Sequence, residues 1–362
     1  MCLLLIFVPG EKTAGTSDDF IEEDVVGKQK VTLKGIYMNN MTVSFSPHIR
    51  DKITTNRIMI DVLIALVPAF IAAIWIFGPR AGLVTCVCVV SCVVFEWIYQ
   101  KALKKPVTVN DYSACVTGVL LAYNLPVTIP IWQAIFGCAI AIALVKQLFG
   151  GIGKNFANPA LTARVVMFLA FSTTMTTWVK IPAEVPMTMA TWFKMSDAVS
   201  SATPLILMSR GELESLPPIW NMIIGTRGGC LGETSSIALL IGGIYLLWRR
   251  VITWHTPVTF IATTYFLSAL LDASPMYNLY HLFGGGLIIG AFFMATDYPT
   301  TPQTNRGRII FGIGCGIFTV IIRLYGNYPE GVSFAILFMN MLVPYINKFT
   351  LTKPLGGLKL KE

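Results

Sequence analysis

The chain has 362 residues, of which 54% are hydrophobic and only 13% are charged, and its net charge is +8. An ordinary soluble domain carries roughly 25% charged residues, so this chain has too few charges to cover a surface that faces water. The composition excludes a soluble globular domain, a disordered chain, a coiled coil and a disulfide scaffold, and it predicts a membrane protein. Basic residues flank the apolar runs, which is typical of membrane topology rather than of nucleic-acid binding, so the bilayer is expected as a partner and nucleic acid is not.

The first 40 residues differ from the rest of the chain. They combine an apolar run that is too short to cross a membrane with a polar stretch that has no periodicity. We expect residues 1–40 to be a non-native or disordered extension, with the natural start at Met38 or Met41.

Ten apolar runs follow, in two groups of five. We predict spans at about 58–77, 81–99, 112–124, 130–148 and 158–173, and then at 235–249, 254–271, 279–296, 307–323 and 330–347. Several are shorter than the ~20 residues of a straight crossing. Short segments bounded by Gly and Pro predict broken or tilted helices around a buried site.

The two groups resemble each other. Residues 111–126 are similar to residues 285–299, and each stretch ends in a polar residue followed two positions later by proline, at Asn124 and Asp297. Five spans per half would give the halves opposite orientations, which predicts an all-α, urea-transporter-like inverted repeat. Chance similarity between apolar sequences is the alternative. The predicted regions are a first membrane repeat (41–173), an intervening segment (174–234), a second membrane repeat (235–350) and a tail (351–362).

The distribution of Lys and Arg predicts the orientation. With the first span starting inside, sixteen basic residues lie on inner segments and six on outer segments. Because basic residues favour the cytoplasmic side, both termini are predicted to be cytoplasmic, and segment 174–234 is predicted to lie outside.

Neither a metal site nor a catalytic constellation is evident. Cys86 and Cys88 would be about 200° apart around a helix, so they cannot both face one site, and the three histidines form no HxxxH pair. The glycine-rich run 150–154 lacks the Lys-Ser/Thr ending of a phosphate-binding loop and is better interpreted as a loop that ends a helix. No complete active site is therefore expected in this chain.

One stretch of the outer segment carries a specific resemblance. Residues 197–203 read Asp-Ala-Val-Ser-Ser-Ala-Thr, which is similar to the flavin-attachment motif in the D subunit of Rnf complexes and in the B subunit of the Na⁺-translocating NADH:quinone reductase. The resemblance implies that Thr203 is esterified to the phosphate of FMN by a separate flavin transferase, with Ser200, Ser201 and Ala202 beside it. Ala198 and Ser201 stand where the family usually has glycine.

Other stretches resemble the same family in the same order. They are 46–50, 61–68, 150–164, 232–235, 291–297 and 328–334. The start of the match, Ser-Pro-His-Ile-Arg, favours the Rnf protein over the quinone-reductase protein.

The resemblance implies a multi-pass subunit of the cytoplasmic (inner) membrane of a bacterium or archaeon, with Thr203 on the extracytoplasmic side. It implies an electron-carrier subunit of an ion-translocating ferredoxin:NAD⁺ oxidoreductase that moves Na⁺ or H⁺ and is not catalytic alone. The A, B, C, E and G subunits of the complex would be its partners. Riboflavin, bound without a covalent bond, is a second cofactor that the resemblance implies.

Charged residues at membrane depth are costly and raise functional hypotheses. Arg164, with Asn158 near it in sequence, could hold a flavin phosphate or a ring carbonyl, or it could pair with a carboxylate such as Asp111. Asp61 could bind a cation, or it could be a charge near the membrane interface.

Further polar positions leave similar alternatives. Asn124 and Asp297 could belong to a second flavin site or to the ion path, or they could be ordinary polar helix ends. Glu233 and Glu330 precede apolar runs, where a carboxylate favours a helix N-terminus, so we interpret them as helix caps.

Two other functions stay open on the sequence. The B subunit of the quinone reductase would require a quinone site. A urea-type channel would share the five-plus-five pattern but would have no use for a flavin-attachment motif.

Overall fold

The computed structural model describes residues 29–30, 42–43, 54–178, 203–209, 212–225, 227–233, 235–271, 275–326 and 330–351. The chain divides into two compact units, residues 1–53 and 54–362. In the first unit, β1 (Gln29–Lys30) pairs antiparallel with β2 (Thr42–Val43), and Gln29 lies opposite Val43. This short strand pair departs from the all-α prediction, whereas the described part of the second unit is helical.

The first group of helices follows the predicted runs closely. They are α1 (Thr55–Phe77), α2 (Pro79–Ala102), α3 (Ser113–Tyr123), α4 (Ile131–Ala139), α5 (Pro159–Ala170) and α6 (Ser172–Met175). A π-helix, Ile140–Gln147, continues α4, and a 3₁₀ turn, Val109–Asp111, precedes α3. Local sequence explains the ends: the Thr54 side chain accepts a hydrogen bond from the Arg57 amide, and Pro79 starts α2 directly after Gly78.

The second group of helices follows two short helices, α7 (Pro204–Ser209) and α8 (Ile219–Ile224). Its members are α9 (Ser236–Trp248), α10 (His255–Leu271), α11 (Pro275–Phe283), α12 (Leu287–Ile289), α13 (Asn305–Tyr325) and α14 (Val332–Thr350). The π-helix Gly290–Met294 continues α12, and 3₁₀ turns lie at Leu213–Ser215 and Tyr298–Thr300.

Helix length and composition agree with a multi-pass membrane protein. In the described part of the chain, α1, α2, α13 and α14 are long and apolar enough to cross a membrane. The shorter apolar helices are α3, α4 with its π-helix, α5 and α9. Trp75, Trp248, Leu270 and Phe349 are each more than 70% exposed, as expected where side chains face lipid rather than water.

Glycines bring the helices into close contact. A Cβ atom on Gly242 of α9 would lie 2.0 Å from the backbone oxygen of Ala65 in α1. A Cβ on Gly312 of α13 would lie 2.0 Å from the Thr259 hydroxyl of α10. Small residues at helix crossings permit this backbone approach in membrane proteins, and the α1–α9 contact joins the two groups of helices.

The glycine-rich run 150–154 ends a helix, as the sequence predicts. Gly150, Gly151 and Gly153 have φ values of 114°, 91° and 85°, a region that glycine enters without steric cost. The Gly151 amide donates to the carbonyl of Lys146 at the end of the π-helix.

Candidate functional site

Arg164 on α5 lies at the centre of a buried polar cluster. Its Nη1 atom is 3.0 Å from a carboxylate oxygen of Glu233, and its Nη2 atom donates to Glu330. Nη1 also donates to the Asn124 side-chain oxygen at 2.7 Å and to the Ser333 hydroxyl at 3.0 Å. One guanidinium group thus links three parts of the chain, which are the segment before α9, the start of α14 and the end of α3.

Asp111, the example of a carboxylate partner that the sequence offered for Arg164, does not pair with it in the structure. Asp111 instead accepts hydrogen bonds from the backbone amide and hydroxyl of Ser113, at 2.9 and 2.5 Å. Glu233 and Glu330, which we interpreted as helix caps, are the partners, and the Ser235 side chain caps α9. Of the two roles that the sequence offered for Arg164, the structure shows the ion pair, but its carboxylates are those of Glu233 and Glu330.

The same cluster contains three groups of the kind that bind metals. Ligand atoms of Cys230, Glu233 and Glu330 lie within 4.8 Å of one another. The Arg164 Nη2 atom lies 3.5 Å from the Cys230 sulfur and also binds Glu330. A guanidinium group therefore stands where a metal ion would have to bind, and this arrangement is an ion-pair network.

Asp61 has a partner that the sequence analysis did not predict. Its carboxylate lies 3.1 Å from Arg249 Nη2 and accepts a hydrogen bond from the Tyr245 hydroxyl at 3.2 Å. The pair joins α1 to the end of α9. None of the hydrogen bonds or ion pairs of Asp61 within the described part of the chain reaches the Arg164 cluster.

Asn158 and Asn124 meet the end of the π-helix that follows α12. Asn158 caps α5 by accepting from the amides of Ala160 and Leu161, and its side-chain nitrogen donates to the carbonyl of Met294 at 3.3 Å. The Asn124 side-chain nitrogen lies 3.7 Å from the sulfur of the same methionine. The structure therefore brings Asn124, Asn158 and Arg164 into one connected region.

A cavity of about 430 Å³ lies beside this region. It is bounded by α1, α3, the loop before α5 and residues 297–299, and most of its lining is apolar. Its polar lining groups are Thr55, Ser113, Thr117, Lys146, Asn155, Asn158, Asp297 and Tyr298. The side-chain oxygen of Asn155 is buried and has no hydrogen-bond partner within the described residues, so it is free to bind a ligand donor.

A second buried ion pair borders the cavity. Lys146 Nζ lies 2.8 Å from Glu96 and donates to the Ser113 hydroxyl at 2.6 Å, and Gln147 donates to Glu96 at 2.7 Å. Lys146 and Glu96 are 2% and 1% exposed. The sequence analysis missed this pair, although a glutamate inside an apolar run is itself a signal of function at membrane depth.

Thr203 lies at the start of α7. It is 5% exposed, its hydroxyl accepts from the Ile206 amide at 3.4 Å, and its carbonyl accepts from the amides of Ile206 and Leu207. The predicted neighbouring residues Ser200, Ser201 and Ala202 lie outside the described part of the chain.

Known proteins resemble almost the whole chain. The sequence model of the NQR2, RnfD, RnfE family matches residues 42–356. The D subunit of the Na⁺-translocating ferredoxin:NAD⁺ oxidoreductase complex of Acetobacterium woodii is 46% identical over 325 residues, which are 89% of this chain and 98% of the relative. The D subunit of the proton-translocating ferredoxin:NAD⁺ oxidoreductase complex of Clostridium ljungdahlii is 40% identical over 87% of this chain and 96% of the relative. The D subunit of an ion-translocating oxidoreductase complex of Ectopseudomonas mendocina is 35% identical over 88% and 98%.

Proposed function

We propose, since the chain belongs to the NQR2, RnfD, RnfE family, that it is the D subunit of a membrane complex that couples electron transfer between ferredoxin and NAD⁺ to the translocation of Na⁺ or H⁺. The relatives carry this function in their names and match nearly their full length. The A, B, C, E and G subunits of the same complex are its proposed partners. The absence of a complete active site in the sequence supports the role of an electron carrier rather than of an independent enzyme.

One observation carries the proposed redox role: residues 197–203 resemble a flavin-attachment motif. The motif ends in Thr203, which lies directly before α7. We propose that the Thr203 hydroxyl oxygen forms a phosphoester bond with FMN. Once bound, a flavin carries one or two electrons, and the protein positions it and tunes it. Because Thr203 is 5% exposed, the transferase would act before the segment around α7 packs, or while it is open.

The cavity beside Lys146 is the proposed site of the second flavin, a non-covalent riboflavin. Its volume is in the range of small-molecule sites, which are mainly apolar with a few placed polar groups. An isoalloxazine ring has an N–H donor and carbonyl acceptors. The free side-chain oxygen of Asn155 suits the donor. Asp297 and Asn158 would position the ring.

Arg164 has a different proposed role. Its donors are committed to Glu233, Glu330, Asn124 and Ser333, which leaves little capacity for a flavin phosphate. It would hold the two membrane repeats together at the midplane.

The proposed topology is an inverted repeat of five spans each in the cytoplasmic membrane, with cytoplasmic termini and Thr203 outside. Green fluorescent protein fused after Glu362 should fluoresce, because it folds on the cytoplasmic side. Alkaline phosphatase fused after Thr203 should be active, because it needs an oxidising compartment. The opposite pair of results would overturn the orientation.

The flavin is tested directly by fluorescence. The full chain is expressed with a flavin transferase, and a denaturing gel is viewed under ultraviolet light beside Thr203→Ala and a control, Thr176→Ala. We expect a fluorescent band in the wild-type chain and in Thr176→Ala, and none in Thr203→Ala.

Two results of this gel would refute the proposal. Fluorescence that persists in Thr203→Ala would place the flavin elsewhere. A dark wild-type band, with the transferase active on another substrate, would leave the channel alternative as the better one. Quinone reduction by the assembled complex would favour the quinone-reductase alternative.

A further inference from the structure

Three buried arginines, the buried Glu233 and the partly buried Glu330 lie near the start of α9 and the end of α13. Arg164 is the arginine that lies within ion-pair distance of Glu233 and Glu330. Arg227 and Arg323 are 6% and 4% exposed, and neither forms an ion pair with a carboxylate in the described part of the chain. Among the described residues, three positive charges therefore face two negative charges, and one buried positive charge is in excess.

Arg227 and Arg323 bind backbone oxygens at one end of α11. Arg323 donates to the carbonyls of His281 at 2.5 Å and Gly284 at 3.0 Å, and Arg227 donates to that of Phe283 at 2.6 Å. The helix dipole makes the C-terminus of a helix favourable for a cation, but a carbonyl carries only a partial charge. The Nε atom of each arginine is buried and has no hydrogen-bond partner among the described residues.

Lys146 shows how this chain neutralises a buried cation elsewhere. Its ammonium group lies 2.8 Å from the Glu96 carboxylate. Breaking a buried pair by removing one partner is strongly destabilising, because it leaves a charge without compensation. Arg323 is likewise buried but forms no ion pair with a carboxylate of the described residues, which points to an anion from outside them.

The segment that begins at Thr203 and the Arg323 side chain approach the same glycine turn after α11. Leu205, two residues after Thr203, lies against Gly284 and Gly285. A Cβ atom on Gly285 would lie 3.0 Å from Leu205 Cδ1 and 3.4 Å from Arg323 Nη2. Gly285 has a φ of +60°, so the missing side chain and the backbone conformation both suit the close approach of Leu205 and of the guanidinium group to this turn.

We infer that Arg323 is the counter-charge of the phosphodiester that links the Thr203 hydroxyl to FMN, an inference that rests on the proposed function. A phosphodiester carries one negative charge, which equals the buried excess. Arginine suits phosphate oxygens because its planar group offers several donors at fixed geometry. Arg323 thereby fixes the flavin against the end of α11 and makes attachment of the flavin stabilising.

The test compares thermal unfolding with and without the flavin. The full chain is purified in detergent after expression with or without the flavin transferase, for the wild type, Arg323→Gln, Arg323→Lys and the exposed control Arg306→Gln. In-gel fluorescence measures loading. We expect loading to raise the Tm of the wild type and of Arg306→Gln. The rise should fall by at least half in Arg323→Gln and should be retained for the most part in Arg323→Lys.

The unloaded proteins separate this role from a structural one. Without flavin, Arg323→Gln should melt no lower than the wild type, because the substitution removes an uncompensated charge. If Arg323 only caps α11, the glutamine variant loses the same number of degrees loaded and unloaded, and the inference fails. If Arg323→Gln does not accumulate, Arg323→Lys decides, since a cap-only role again predicts equal losses. A wild-type chain without fluorescence refutes the proposed function itself, whereas fluorescence with an unchanged rise in Arg323→Gln refutes this inference alone.

Discussion

Replacing Arg164 with methionine should strongly destabilise the folded protein. The change removes the cation between Glu233 and Glu330, whose oxygens lie within 4.8 Å of each other. At an effective dielectric constant of about 20, two unit charges at that distance repel by about 3.5 kcal/mol. This agrees with the roughly 3–5 kcal/mol lost when a buried ion pair is broken from one side.

The assay is thermal unfolding in detergent, followed by size-exclusion chromatography. With a Tm shift of about 2 °C per kcal/mol for a large domain, Arg164→Met should lower the Tm by about 6–10 °C. Adding Glu233→Gln and Glu330→Gln to Arg164→Met should recover the part of that loss that comes from repulsion between the two carboxylates. Arg306→Met, at an exposed arginine, should change the free energy of unfolding by less than about 0.5 kcal/mol.

Two results would refute this reasoning. The first is an Arg164→Met protein that melts within 2 °C (roughly 1 kcal/mol) of the wild type. The second is a triple variant that is no more stable than the single variant, which would mean that the geometry of the arginine matters and its charge does not.

Two further predictions concern helix contacts and the second ion pair. Gly242→Ala should lower stability by about 1–3 kcal/mol or more, because its Cβ would lie 2.0 Å from a backbone oxygen. Gly82→Ala, whose nearest neighbour is 3.6 Å away, should be neutral or stabilising by up to about 1 kcal/mol. If thermal melts showed that both variants lose the same stability, the close packing at Gly242 would be contradicted. Lys146→Met should lose about 3–5 kcal/mol, and adding Glu96→Gln should restore most of it. Additive losses in that double-mutant cycle would argue against a direct pair.

Secondary structure followed from the sequence because its signals are local. The run 112–124 was predicted as a short span, and α3 occupies Ser113–Tyr123. The broken run at 279–296 is divided between α11, α12 and a π-helix, which agrees with the Gly-bounded pattern. Apolar length, prolines and glycines act within a few residues, so they are legible without tertiary contacts.

The sequence did not show which residues the polar side chains bind. Arg164 and Glu330 are 166 positions apart, and nothing in the sequence near Arg164 distinguishes Glu330 from Asp111. Glu233 and Glu330 also precede helices, where a capping role is the simpler local explanation. Sequence reasoning could have found Glu96, because a carboxylate within an apolar run requires a partner.

By itself the sequence determined that the chain is a multi-pass membrane protein, about where most of its long apolar helices lie, and which family it resembles. Those properties depend on composition, on patterns within one helix, and on short motifs. Only the tertiary structure decided that Arg164 neutralises two glutamates, that Asp61 pairs with Arg249, and that Arg323 forms no ion pair with a carboxylate among the described residues. Charge compensation acts through space over a few ångströms, so residues far apart in the chain determine it, and it becomes visible only once the helices have packed.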